Sequence, residues 1–172
     1  LRHRALAATG LEDAWPIQRE RFVQWVIEDQ LGEDAEAFRA AGVTLTDDVA
    51  AFERAKLRLL NGPHSTLAYT GLLLGHETVA QAMADPELAA FVEAMMRQEI
   101  APALPPTQGL NLSAYIDAVL TRFRNPAIAH KLAQIAWDGS QKLPFRILET
   151  AADALAQGKP IDRLAFAAAA WM

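Results

Sequence analysis

Proline and glycine punctuate this chain too often for any long unbroken element. Gly62-Pro63, Gly75, Pro86, Pro102, Pro105-Pro106, Gly109, Asn125-Pro126, Asp138-Gly139 and Gly158-Lys159-Pro160 divide everything after residue 47 into short segments. Within those segments the apolar residues recur at helical spacing. The pattern predicts a multi-helix, mainly α fold, with helices over about 47–60, 65–75, 78–84, 86–101, 112–124, 127–137 and 143–157 and a last alanine-rich helix from Asp162. Asp47 or Asp48 is the expected N-cap of the first. Pro63 is expected to kink or break the helix it enters, since it removes a backbone donor. Pro86 and Pro144 suit the first turn of theirs.

The N-terminal part reads differently. Phe22-Val23-Gln24-Trp25-Val26-Ile27 is rich in β-branched and aromatic residues and predicts a strand, which needs a sheet to join. Residues 32–43 suit a loop or short helix, and residues 1–15 have no clear pattern. The chain opens on Leu1 and closes on an apolar alanine run ending Trp171-Met172. It is expected to be a fragment of a two-domain protein, with residues 1–45 the tail of one domain and 46–172 the body of the next.

Composition removes several functions. With 172 residues, 52% of them apolar and 22% charged, the chain is long enough for one real core and is not of a disordered type. A net charge of −5 with no run of Lys or Arg argues against nucleic acid. No apolar stretch approaches the roughly 20 residues of a spanning helix, so no membrane is expected as a partner. The absence of cysteine excludes disulfides and thiolate-bound metal, and a cytoplasmic metabolic protein fits.

The stretch that can carry chemistry is Glu53-Arg54-Ala55-Lys56-Leu57-Arg58-Leu59-Leu60-Asn61-Gly62-Pro63-His64-Ser65. Take Lys56 as the zero of angle, with about 100° per residue. On an ideal helix Glu53 then falls at roughly 60°, His64 at roughly 80° and Asn61 at roughly 140°. Four polar groups share one side. Alcohol oxidation needs such a set: a base for the hydroxyl proton as hydride leaves carbon, and neutral donors for the developing oxyanion. A lysine that burial keeps uncharged can be the base. Geometry alone leaves another reading open. Glu53 and Lys56 also suit a surface pair one turn apart, Asn61 before Gly62 a helix end, and His64 a satisfied core histidine. A helical interaction module without chemistry would look the same.

Order and identity add to the spacing. Lys56-Leu57-Arg58-Leu59-Leu60-Asn61-Gly62, then His64-Ser65 and Leu67-Ala68-Tyr69, resembles the signature of the mannitol dehydrogenase family, the long-chain polyol and hexuronate dehydrogenases. Gln24-Trp25-Val26-Ile27-Glu28-Asp29 upstream, and Arg122-Phe123, Asn125-Pro126 and Asp138-Gly139-Ser140-Gln141-Lys142-Leu143-Pro144 downstream, are similar to the same family in the same order. The Asn-Gly-x-His-Ser and Asp-Gly-Ser-Gln-Lys-Leu-Pro segments look closest to the fructuronate (mannonate) enzymes, with mannitol 2-dehydrogenases next. Pro63 at the variable position is a departure.

The resemblance implies an N-terminal Rossmann-like domain that binds NAD or NADP, and a helical C-terminal domain that supplies a lysine. It implies Lys56 as general acid/base, Asn61 and His64 as ligands of the reactive oxygen and Glu53 as the proton gate to solvent. It implies no metal, and a small sugar acid or polyol as substrate. Arg122 is a weaker candidate for substrate binding, because a guanidinium fork can hold hydroxyls or a carboxylate. A helix-end ion pair would explain it as well. No G-x-G-x-x-G and no alternating strand–helix run occurs. The chain's own Rossmann-like domain is therefore an expected partner, and this stretch alone is expected to be inactive. His76-Glu77 opens like a zinc-protease helix, but position 80 is Ala.

Overall fold

A computed structural model describes residues 1–17 and 22–172, in two compact units, Leu1–Asp47 and Asp48–Met172. The first unit holds helix α1 (Arg2–Thr9), strand β1 (Val26–Glu28), helix α2 (Ala35–Ala40) and strand β2 (Thr44–Thr46). β1 and β2 pair in parallel, Val26 opposite Thr44 and Glu28 opposite Thr46, with α2 in the crossover between them. The strand expected over residues 22–27 is thus shorter and shifted. Its partner offers only three rungs, with the Trp25 carbonyl accepting from the Thr44 amide at their edge, and Phe22 to Gln24 lie outside the ladder, exposed.

The second unit is all helix: α3 (Val49–Lys56), α4 (Gly62–Leu73), α5 (Val79–Ala84), α6 (Pro86–Ala94), α7 (Ala101–Ala103), α8 (Leu112–Phe123), α9 (Leu132–Ala136), α10 (Gly139–Leu143), α11 (Glu149–Ala156) and α12 (Asp162–Trp171). Local chemistry sets most of the starts. Asp48 caps α3 by accepting from the Ala51 amide, Thr78 and Gln81 form a reciprocal capping box on α5, and Asp85 accepts from the Glu87 and Leu88 amides ahead of α6.

Three boundaries differ from the sequence expectation. The helix expected over 143–157 starts already at Gly139, so Pro144 lies inside it and not in its first turn. The helix expected over 127–137 begins only at Leu132. Backbone bonds from Val79 N to His130 O and from Leu132 N to Glu77 O hold residues 130–132 extended against the start of α5. Pro63 does not break its helix either. Three π-helical turns, Leu57–Asn61, Met95–Ile100 and Pro144–Leu148, join α3 to α4, α6 to α7 and α10 to α11. In the first two, an amide bonds five residues back, Gly62 to Leu57 and Ala101 to Met96, and a proline follows at once. A proline in an α-helix lacks a donor and its ring meets the carbonyl four residues earlier. Widening the turn by one residue relieves both, so the rod continues.

α4 is the centre of this unit. Nine of its residues are buried, from Gly62 to Gly71, and it packs against α9, α12 and α5. A helix apolar all round belongs inside a bundle. Its hydroxyls are satisfied locally, Thr66 donating to the Gly62 carbonyl and Thr70 to that of Thr66. Glycine allows close approach at two points. A Cβ on Gly71 would lie 2.7 Å from Leu132 Cδ1, and one on Gly62 would lie 2.8 Å from the Arg146 carbonyl oxygen. Leu59, Leu67, Met95, Met96, Ile100, Ile116 and Leu164 fill the interior. No helix among the described residues is long and apolar enough to cross a membrane.

Candidate active site

The four residues singled out in the sequence lie along one continuous rod. Glu53 and Lys56 are in the last turns of α3, Asn61 closes the π turn, and His64 sits in the first turn of α4. The π turn changes their angular relation. One extra residue is taken up between Lys56 and Asn61, so everything beyond it lags by about one residue's rotation. On the rod's axis Asn61 then falls at roughly 40° from Lys56 and His64 at roughly −20°, against the 140° and 80° of an unbroken α-helix. The irregular turn draws both toward the Lys56 face.

Exposure grades along that face. Glu53 and Lys56 are exposed, and Asn61 and His64 are half-buried. The expectation of a buried lysine is not met within this chain, because Lys56 stands on the water side of α3 and nothing in its own unit covers it.

His64 is the best-defined member. Its ring stacks on Phe123 of α8, centroids 5.4 Å apart and planes 13° from parallel, and it meets the His130 ring at 5.5 Å. Burial pushes its pKa down from 6.5 to about 4, helped by the positive fields of His130, Arg146, Arg122 and Lys142. It is a neutral imidazole at ordinary pH. Its Nε2 is buried and has no hydrogen-bond partner. A buried polar atom left open in this way is costly unless something else completes it.

Arg122 of α8 is half-buried and is one of the cations acting on His64. The structure adds three groups that the sequence reading did not select: His130 before α9, Lys142 in α10 and Arg146 in the third π turn. Lys142 stood inside the Asp138–Pro144 motif, and its ammonium donates to the carbonyls of Ile135 and Trp137. Arg146 follows one turn later and donates to Ser65 Oγ at 3.0 Å. Neither carried a spacing signal relative to Lys56, because both reach the site through tertiary packing. Among the described residues no three His, Asp or Glu side chains gather as a metal ion would require.

Comparison with known proteins gives a consistent set of similarities. The mannitol dehydrogenase C-terminal domain family matches residues 48–172. The mannitol 2-dehydrogenase of Aspergillus fumigatus is 42% identical over 165 residues, covering 94% of this chain and 33% of that protein. That of Neosartorya fischeri is 43% identical over 171 residues, 97% of this chain and 34% of its own length. A substrate-free D-sorbitol dehydrogenase structure superposes with a TM-score of 0.90 at 34% identity, over 98% of this chain and 35% of that one. The Pseudomonas fluorescens mannitol 2-dehydrogenase, in a ternary complex with NAD and D-mannitol, gives 0.82 at 39% identity, over 99% and 35%. The chain spans about a third of the length of these relatives.

Proposed function

The chain belongs to the mannitol dehydrogenase family, and from that premise we propose that it is the substrate-binding and catalytic part of an NAD(P)-dependent oxidoreductase interconverting a polyol and its 2-ketose. The observation that carries the reading is the single rod in which a π turn draws Asn61 and the open Nε2 of neutral His64 toward the face of Lys56. Residues 1–45 would be the tail of the cofactor-binding domain and residues 46–172 the catalytic body.

The residues fit a nicotinamide partner. A bound nicotinamide supplies the hydride acceptor, and what remains is to take one proton and hold one oxygen. Lys56 takes the hydroxyl proton in the oxidative direction and returns it in reduction. Asn61 and His64 donate to the oxygen as its charge develops. Two neutral donors do this without adding a second proton to the exchange. Glu53, one turn from Lys56 and in water, passes that proton to solvent. Arg122 holds a remote hydroxyl. Cover for Lys56 has to come from residues outside its own unit, and the cofactor-binding domain is the natural source.

Mannitol and fructose are the first pair to test, after the names of the relatives. The cations Arg122, Lys142 and Arg146 near His64 favour a second reading, in which the substrate carries a carboxylate, as in mannonate and fructuronate. The experiment uses the full-length protein that carries this chain. NADH and NADPH oxidation are followed with fructose and with fructuronate, in wild type and Lys56→Ala. Turnover lost in a folded Lys56→Ala protein supports the reading, and the better substrate chooses between its two forms. Turnover kept in that variant removes Lys56 as the base. No turnover of either substrate by wild type favours a binding module instead.

A further inference from the structure

Arg146 is a half-buried cation without a counter-ion. Its Nη1 donates to Ser65 Oγ at 3.0 Å, its Nε is buried with no partner, and it forms no ion pair with any carboxylate among the described residues. Burial lowers its own pKa from the ordinary value, and of its charged or titratable neighbours only Tyr69 opposes that. Removing a guanidinium from water without a carboxylate is unfavourable, so the place it occupies needs a reason.

Two contacts define that place. The Arg146 backbone carbonyl is pressed against Gly62, where a Cβ would lie 2.8 Å away. The side chain reaches Ser65, which is completely buried. Gly62 and Ser65 bracket Pro63 and His64. The third π turn therefore clamps the four residues that follow Asn61. The positive field of the same guanidinium acts on the His64 imidazole, as do those of His130, Arg122 and Lys142, while the Phe123 ring stacks on it.

We propose that Arg146 is a positioning residue for the site: through Ser65 it fixes the backbone beside His64, and its uncompensated charge adds to burial in holding the His64 ring as a neutral imidazole where it meets the reactive oxygen. The inference rests on the reading of His64 as a ligand of that oxygen. A neutral ring offers one donor and one acceptor nitrogen, whereas a charged one is two donors and a competing acid. Keeping it neutral leaves Lys56 as the only group that gains and loses the proton. Burial of the ring, with this positive field added, holds the His64 pKa low.

The test is a titration that does not depend on turnover. In the full-length protein with labelled histidines, His64 is assigned by comparison with His64→Gln, and its midpoint is followed by NMR in wild type, Arg146→Gln and Arg146→Lys. Wild type is expected near 4. Arg146→Gln is expected to raise the midpoint by roughly half a pH unit or more, with the acid limb of kcat/KM moving alongside. Arg146→Lys, which keeps the charge, is expected to leave both in place. A wild-type midpoint near 6.5, an unmoved midpoint in Arg146→Gln, or an equal shift in Arg146→Lys each overturns the proposal. Because burial also lowers the midpoint, the difference between Arg146→Gln and Arg146→Lys decides the role of Arg146, and Ser65→Ala, which removes the hydrogen bond and keeps the charge, serves where Arg146→Gln fails to fold: it is expected to leave the midpoint in place and lower kcat, and an unchanged kcat overturns the positioning role. Should Lys56→Ala retain turnover, the functional reading fails, while the titration still reports on Arg146 separately.

Discussion

The imidazole of His64 lies face to face with the ring of Phe123, 5.4 Å between centroids and 13° from parallel, so the family-like His-Ser of one helix is sealed by the Arg-Phe of another. That seal gives the fold a pH dependence with a definite sign. In the unfolded chain His64 titrates near 6.5, and in the fold it resists protonation until about pH 4. The unfolded state therefore binds more protons between those values. The stabilising contribution is fully present above pH 6.5 and is lost as pH falls toward 4. It amounts to roughly 3 kcal/mol. Urea melts of wild type and His64→Leu at a series of pH values measure it: the wild-type loss across this window should be visibly smaller in the variant. Parallel curves would mean that His64 is not held neutral.

Glu99 supports a second, independent prediction. Its carboxylate is fully buried, accepts from the Arg163 and Leu164 amides at 3.0 Å each, and pairs with the Arg163 guanidinium at 3.2 Å. The N-terminus of α12 is thus capped by a residue more than sixty positions earlier. Glu99→Ala should destabilise by about 2–4 kcal/mol, since it strands buried donors. Glu99→Gln, which keeps one acceptor, should lose less. Thermal unfolding gives the comparison, and equal losses would show that the charge, not the cap, is what matters.

That cap also marks how far the sequence could be read. Helices with local signals were legible: Asp48 before α3, Thr78 at the start of α5, Pro86 opening α6 and Asp162 opening α12 all sit where their chemistry predicts. What escaped depends on contacts distant in sequence. Residues 130–132 are held extended by α5, and that shortens a helix whose apolar pattern was sound. The π turns escaped because Gly62-Pro63 reads equally as a break, and only the bundle packed around α4 makes a widened turn cheaper than an end. The four candidate residues lie on one rod as their spacing suggested. Their neighbours Arg146 and His130 carried no spacing signal, being brought in by tertiary packing.

Two glycines of α4 should respond unequally to a methyl group. At Gly71 the new Cβ meets the end of the buried Leu132 side chain at 2.7 Å and the Ala82 Cβ at 3.2 Å, so a side-chain rotation and a shift of a few tenths of an ångström in α5 admit it. At Gly62 it meets the Arg146 backbone carbonyl at 2.8 Å, which cannot move without displacing the whole third π turn. Gly71→Ala should stay within about 1 kcal/mol of wild type, helped by the better helix propensity of alanine. Gly62→Ala should lose about 1–3 kcal/mol and, where the full-length protein turns over, depress kcat more than it changes KM. Stability and kinetics on the pair test this, and a harmless Gly62→Ala would show that the third π turn is free to shift.

The last prediction concerns Gly139, where the chain leaves the left-handed Asp138 (φ 57°) and enters the helix that carries Lys142. The indole of Trp171 rests on this glycine so closely that a Cβ would lie 2.0 Å from Nε1 and 2.6 Å from Cδ1. A methyl at 139 fits only if the indole, 38% exposed, swings aside and gives up its packing on the turn. Gly139→Ala should therefore lose about as much as removal of the indole, on the order of 1–2 kcal/mol. Trp171→Ala removes the obstacle at the cost of its own packing. Adding Gly139→Ala to it should then change little further. This double-mutant cycle isolates the contact from any effect of alanine on the turn itself. Additive losses would mean that Gly139 is required for its backbone and not for the indole it receives.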